Sequence, residues 1–199
     1  MNSIELIRIG TKILQKASKF KAELDSELIL SNILNTTREK LIIHPKKNII
    51  KVLENKFKFD IKERRLKKPI AYILGYKEFW KQKFITDPNV LIPRPDTELI
   101  IEKVLKNFKK NDNKNVLDIG TGTGCIILSI LLERKKFRGT GIDTSKRAIN
   151  IAKINAKMQQ FGNRIRFINT DIDNFFSNKY DLIVSNPPYI KKYKLRSLI

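Results

Sequence analysis

Two short stretches carry the residue types that do chemistry. The first is "YDLIVSNPPY", residues 180–189. An apolar run stops on an amide, Asn186, stiffens with Pro187 and Pro188, and then presents a ring, Tyr189. The prolines lack N–H groups and fix φ, so they leave carbonyls pointing in set directions. The Asn186 amide oxygen and the Pro187 backbone carbonyl can together accept both hydrogens of a planar NH2 group. Tyr189 can stack on the flat group that carries it. That arrangement suits alkylation of a weak nitrogen nucleophile, because an amide or exocyclic aryl nitrogen delocalises its lone pair. Two acceptors push the nitrogen toward tetrahedral geometry and aim the lone pair at an electrophile, a contribution of orientation and electrostatics. A rigid strand-to-loop turn would use the same residues without any chemistry.

The second stretch is "LDIGTGTGC", residues 117–125. Gly120, Gly122 and Gly124 stand at alternate positions. A strand turning sharply into a helix while its backbone approaches a ligand needs glycine. The dinucleotide fingerprint is G-x-G-x-x-G. Here the third glycine comes one residue early and Asp118 precedes the loop. The spacing is closer to an S-adenosylmethionine (SAM) loop than to a pyrophosphate cradle, and the sulfonium of SAM is the electrophile the first stretch requires. Asp118 can hold the loop or face the cationic amino-acid end of SAM. Asp143 ends "GTGID" and can accept from both ribose hydroxyls, or cap the helix that follows at 145. Asp171 and Ile172, in "NTDI", can meet the adenine amino group and ring, or be ordinary loop residues.

Positioning these residues requires a parallel sheet. From Asn115 onward the pattern is βαβ: "NVLDIG", the helix "CIILSILLERK", "RGTGID", the helix "SKRAINIAKINAKMQQF", "RIRFINTD" and "YDLIVSNPPY". This alternation implies parallel strands with helices on their faces. With the order 3-2-1-4, Asn186 lies at the carboxyl end of the fourth strand, beside the glycine loop. Upstream, residues 1–67 show helical spacing in four segments, the fourth from about 47 to 66, and read as a small bundle. At Lys68-Pro69 the texture changes to β-branched and aromatic residues, read as a β-hairpin linker over 68–96 with its hairpin at about 76–91. A helix is expected over 97–109, and the second domain over 97–199.

The whole chain bounds the function class. It has 199 residues, 41% hydrophobic and 31% charged, a soluble globular composition. No apolar run approaches the roughly 18–20 residues of a membrane span. The N-terminus lacks a signal-peptide h-region, and Glu5 with the lysine bias argues against a mitochondrial presequence. Cys125 is the single cysteine, so no intrachain disulfide forms and a reducing cytoplasm fits. The net charge of +21 comes from lysines spread along the chain, so no sequence-specific nucleic-acid partner is expected. His44 stands alone before a proline, Cys125 fills space at a helix start, Trp80 belongs to the hairpin core, and no cluster has metal-ligand spacing.

The chain resembles the release factor glutamine methyltransferases (PrmC/HemK type). The resemblance rests on "PIAYILGYKEFW" (69–80), "LIPRPDTE" (91–98), "LDIGTGTG" (117–124) and "SNPPYI" (185–190), in that order. It implies an α/β fold, a helical bundle followed by a SAM-dependent Rossmann-like domain. It also implies methylation of the side-chain nitrogen of the glutamine in the Gly-Gly-Gln loop of peptide chain release factors. By the resemblance Gly120, Thr121, Gly122, Thr123, Gly124, Asp143, Asp171, Ile172 and Asn186 line the SAM pocket. Asn186, Pro187, Pro188 and Tyr189 hold the substrate glutamine, with Asn186, Pro187 and Tyr189 as the catalytic set. Position 172 departs from an aromatic found in some members. Arg94 and Glu98 flank the pocket, and residues 1–67 dock the release factor.

The family sheet has seven strands, order 3-2-1-4-5-7-6, of which this sequence supplies strands 1 to 4. Strands 5 to 7 are missing, which leaves strand 4 as an exposed apolar edge. A shortened chain, an early stop and completion by another chain all remain open. Asn-Pro-Pro-Tyr alone is shared with adenine-N6 DNA and RNA methyltransferases, which supply the alternative activity. A non-catalytic remnant that still binds release factor is the other alternative. A cytoplasmic monomer without a membrane partner is expected.

Overall fold

The structure is a computed structural model that describes residues 1–16, 21–46, 48–176 and 179–187. The contacts divide the chain into two units, Met1–Gly75 and Tyr76–Ile199.

The first unit is helical: α1 (Ser3–Gln15), α2 (Ala22–Ile33), α3 (Arg38–Ile43), α4 (Lys51–Arg65) and α5 (Ile70–Leu74). A capping box starts α1. The Asn2 side chain accepts from the Glu5 amide at 2.8 Å, and the Glu5 carboxylate accepts from the Asn2 amide at 3.0 Å, satisfying two orphan donors. Leu6, Ile29, Leu30, Phe57 and Ile61 are buried together. Gly10 lets α1 approach its neighbours closely. A Cβ there would lie 2.3 Å from Ser26 Oγ and 2.8 Å from the Phe57 ring. Buried Asp25 accepts from Arg64 Nε at 2.7 Å, tying α2 to α4. The fourth helix begins at Lys51, later than its expected start near 47. Residues 70–74, expected within the β-linker, form α5. Pro69 precedes it and Gly75, at φ +82°, ends it in the left-handed region. Ile70, Ile73 and Leu74 pack on the helical core, and that packing outweighs their β propensity.

The second unit opens with an antiparallel hairpin, β1 (Tyr76–Phe79) and β2 (Gln82–Ile85). It ends six residues before the expected position 91; Pro88 and the turn around Asn89 stop it, with the Asn89 amide donating to Asp87 Oδ1 at 2.9 Å. A single 3-10 turn, Pro95–Thr97, leads into α6 (Glu98–Asn107). Then follow β3 (Asn115–Ile119), α7 (Cys125–Glu133), β4 (Arg138–Asp143), α8 (Lys146–Met158), β5 (Ile165–Asn169) and β6 (Leu182–Ser185). The four last strands form one sheet, β5-β4-β3-β6, with every pairing parallel. Counted within this sheet the order is 3-2-1-4, as the sequence pattern implies.

One face of the sheet, carrying Val116, Phe167 and Val184, joins Ile127, Leu128, Leu131, Ile149 and Ala152 in a dry core. Among the described residues β6 stands at an edge of the sheet, with Val184 buried and Ile183 59% exposed. No helix among the described residues is long and apolar enough to cross a membrane.

Candidate active site

The carboxyl ends of β3, β4 and β6 bring the sequence-predicted residues together. Ile119 on β3 is registered with Ser185 on β6, so the chain leaves β3 at Gly120 where it leaves β6 at Asn186. Ser185 Oγ also donates to the Ile119 carbonyl at 2.9 Å.

The glycine loop is held by backbone. The Gly120 and Thr121 amides both donate to the Ile142 carbonyl at 2.9 Å, and the Gly124 amide donates to the Thr121 carbonyl at 2.8 Å. Gly120, Gly122 and Gly124 have φ of 70°, 57° and 79°, where a side chain is strained. Their reasons differ. A Cβ at Gly120 would meet nothing within 4 Å, so that side of the loop is open to a ligand. A Cβ at Gly124 would come 3.2 Å from Leu128 and 3.3 Å from Ala152, so that glycine serves packing.

Asp143 closes the loop from β4. Its Oδ2 accepts from the Gly122 amide at 2.9 Å and its Oδ1 accepts from the Ser145 amide at 2.8 Å. It is not the cap of the next helix. Ser145 is, with its side chain accepting from the Ala148 amide. A carboxylate offers about four lone-pair sites, so two amides leave acceptor capacity for hydroxyls.

Asp118 is fully buried and accepts from Thr121 Oγ1 at 2.7 Å. That bond serves the first of its two expected tasks, holding the loop. Burial pushes its carboxyl up to about 7, and the charge of Asp143 adds to this. The Thr121 hydroxyl and the Ile127 amide offset part of the rise. Cys125, buried at the start of α7, has its thiol pushed up to about 12, chiefly by burial, which keeps it un-ionised and inert.

Asn186 is oriented from an unexpected direction. Its side-chain Nδ2 donates to Thr97 Oγ1 at 3.0 Å. Thr97 is buried in the turn Pro95–Thr97, within the "PRPDTE" stretch. The next residue, Glu98, accepts from the Trp80 amide at 2.7 Å. Trp80 has φ of +53° in the hairpin turn, and its Nε1 donates to Glu133 at 2.9 Å. Trp80 is thus a half-buried turn residue that packs against the core shared by the hairpin's Phe79 and Phe84. Arg94 is exposed. Pro187 is exposed at the end of β6; Pro188 and Tyr189 lie outside the described residues.

On β5's side, Asp171 is exposed and its Oδ1 accepts from the Asp173 amide at 3.1 Å, capping the turn Ile172–Asn174. Ile172 is 43% exposed. Sequence reasoning missed Thr97 and Asn155. Asn155 is fully buried on α8. It accepts from the Ile85 amide at 2.7 Å and donates to the Thr123 carbonyl at 2.9 Å. An amide inside the apolar stripe of a helix was the available signal. Among the described residues no group of three or more His, Cys, Asp or Glu could hold a metal ion.

Two family models match the chain: the PrmC N-terminal domain over residues 5–75 and the Methyltransferase small domain over residues 95–199. A release factor glutamine methyltransferase of Leptospira interrogans is 40% identical over 94% of this chain and 67% of its own length. The chain belongs to the release factor glutamine methyltransferase family. A second member of that family, from Coxiella burnetii, is 38% identical over 84% of this chain and 60% of its own. The chain therefore spans about two thirds, or somewhat less, of the length of these family members. A solved SAM-dependent methyltransferase from Aquifex aeolicus overlaps 43% of this chain and 46% of its own, at 25% identity and a TM-score of 0.37. The structure gives the "PRPDTE" stretch a physical reason. It is the segment whose Thr97 holds Asn186 and whose Glu98 holds the hairpin turn.

Proposed function

We propose that this protein transfers a methyl group from S-adenosylmethionine to the side-chain nitrogen (N5) of the glutamine in the Gly-Gly-Gln loop of cytoplasmic peptide chain release factors. The observation that carries the reading is the seating of Asn186. It leaves β6 in register with the glycine loop, its amide turned by Thr97, within a chain of this family.

The residues fit the cofactor. The open side of Gly120 admits a ligand against the backbone, and Asp143 has acceptor capacity beyond its two amides. Gly120, Thr121, Gly122, Thr123, Gly124 and Asp143 would hold it, with Asp171 and Ile172 at its adenine end. When bound, it supplies an electrophilic methyl on a sulfonium. The chain supplies orientation. The Thr97 bond engages the NH2 of Asn186, which presents the amide as an acceptor through its oxygen. That oxygen and the Pro187 carbonyl would take the two hydrogens of the substrate amide, with Pro188 and Tyr189 completing the slot. Each neutral hydrogen bond contributes about 1 kcal/mol, and holding the nitrogen in line accounts for most of the gain. Residues 1–67 would dock the release factor, and residues 68–96 would link them to the methyltransferase domain.

Calorimetric titration of the 199-residue chain with SAM tests the pocket. Saturable binding that Asp143→Ala abolishes is the expected result. No saturable heat from a chain that unfolds cooperatively would overturn it.

A further inference from the structure

We propose that the opposite end of the sheet holds a nucleoside phosphate. At the amino ends of β3, β4 and β5 lies a cavity of about 310 Å3 whose lining includes Arg138, Arg164, Arg166, Lys179, Thr140 and Tyr180. Among the described residues none that lines it is acidic. The adjoining Asp181 accepts from the amide of Asn115, itself a lining residue, at 2.8 Å and from Lys114 Nζ at 3.3 Å, so its carboxylate is already paired. Four cations around one cavity repel one another, and an anion between them removes that cost.

Two of the three guanidinium groups are already placed. Arg166 Nε donates to Thr140 Oγ1 at 3.0 Å, and its terminal nitrogen donates to the Tyr180 hydroxyl at 3.4 Å. Arg164 donates to the Leu131 and Lys135 carbonyls at 3.0 and 3.2 Å. Planar, fixed guanidinium groups match phosphate geometry better than mobile ammonium groups do. The ring of Tyr180 stacks on Phe175, with centroids 6.4 Å apart and planes 29° from parallel. An aromatic pair beside cationic groups is how nucleotides are held without base-specific hydrogen bonds. The volume falls at the lower end of small-ligand pockets, roughly 300–1,000 Å3. The ligand is therefore a nucleoside phosphate, either free or as one unit of an RNA strand. The net charge of +21 favours the strand, through long-range attraction.

The test uses the whole chain with two probes, uridine monophosphate and a fluorescent uridine octanucleotide, at about 0.1 M salt. Arg138 and Arg166 are exposed, so the double variant Arg138→Ala, Arg166→Ala keeps the core, as its melting curve should verify. Lys179→Glu is a second, independent variant. Both should weaken binding at least tenfold, and the first should lower the salt slope of log K by about 2. A control pair of exposed lysines on and just after α6, Lys106→Ala with Lys109→Ala, should change it less than twofold. Monophosphate binding alone supports the site and assigns it to a free nucleotide. Octanucleotide binding displaced by monophosphate supports it and assigns it to a strand. Equal losses in the site variants and the control pair, or no saturable binding of either probe, would overturn the proposal.

Discussion

The Asn186 side chain donates to the buried hydroxyl of Thr97 at 3.0 Å across 89 residues of chain. A turn before the first helix of the methyltransferase domain therefore sets the amide at the end of its last described strand. Thr97→Val keeps the β-branched shape and removes the acceptor. The loss of about 1 kcal/mol of orientation predicts a roughly fivefold fall in kcat. KM for SAM and the melting temperature should hardly move. Steady-state kinetics check this, and an unchanged kcat would dissociate Thr97 from the chemistry.

Asp118 makes stability depend on pH. Its folded-state pKa is raised to about 7 by burial, whereas an unfolded Asp titrates near ~3.9. The folded state binds the extra proton between these values, so stability falls as pH rises from about 4 to 7 and levels off above. The contribution is on the order of 4 kcal/mol. Urea unfolding of the wild type at pH 5 and pH 8, compared with Asp118→Asn, isolates it. The variant should lose this component of the slope. Parallel pH profiles in the two proteins would refute the assignment.

Asn155→Leu strands partners on two elements. The Ile85 amide and the Thr123 carbonyl both bond to Asn155, and each unsatisfied group costs roughly 1–3 kcal/mol. A loss of about 2–4 kcal/mol in urea unfolding is expected. Because Thr123 belongs to the glycine loop, SAM affinity should weaken as well.

Gly10→Leu should destabilise the helical unit. A side chain there collides with Ser26 and Phe57, and overpacking costs roughly 1–3 kcal/mol or more. Thermal melts followed by helical circular dichroism will report it. A melting temperature equal to that of the wild type would mean that α1 can shift freely.

The parallel sheet was legible in the chain because its signals are local. "NVLDIG", "RGTGID" and "DLIVS" are short apolar runs bounded by glycine or polar residues, and the alternating glycines mark the turn into α7. The α5 helix was not, since Ile70–Leu74 is β-prone by composition and becomes helical through packing on the bundle. The Thr97–Asn186 and Asn155–Thr123 bonds were invisible for another reason. They join residues distant in sequence, and nothing near either partner announces the other. Asp143 was recognised as special, and its bond to Ser145, two residues on, is local, but the approach of Gly122 is created only by the folded sheet.

The most direct test of the central claim is methyl transfer itself. The 199-residue chain would be incubated with methyl-labelled SAM, a peptide chain release factor and, in a parallel reaction, DNA or RNA. The account predicts label on the glutamine side chain of the Gly-Gly-Gln loop, located by mass spectrometry and lost in Asn186→Ala. Label confined to adenine in the nucleic acid, or SAM bound without transfer to either substrate, would contradict it.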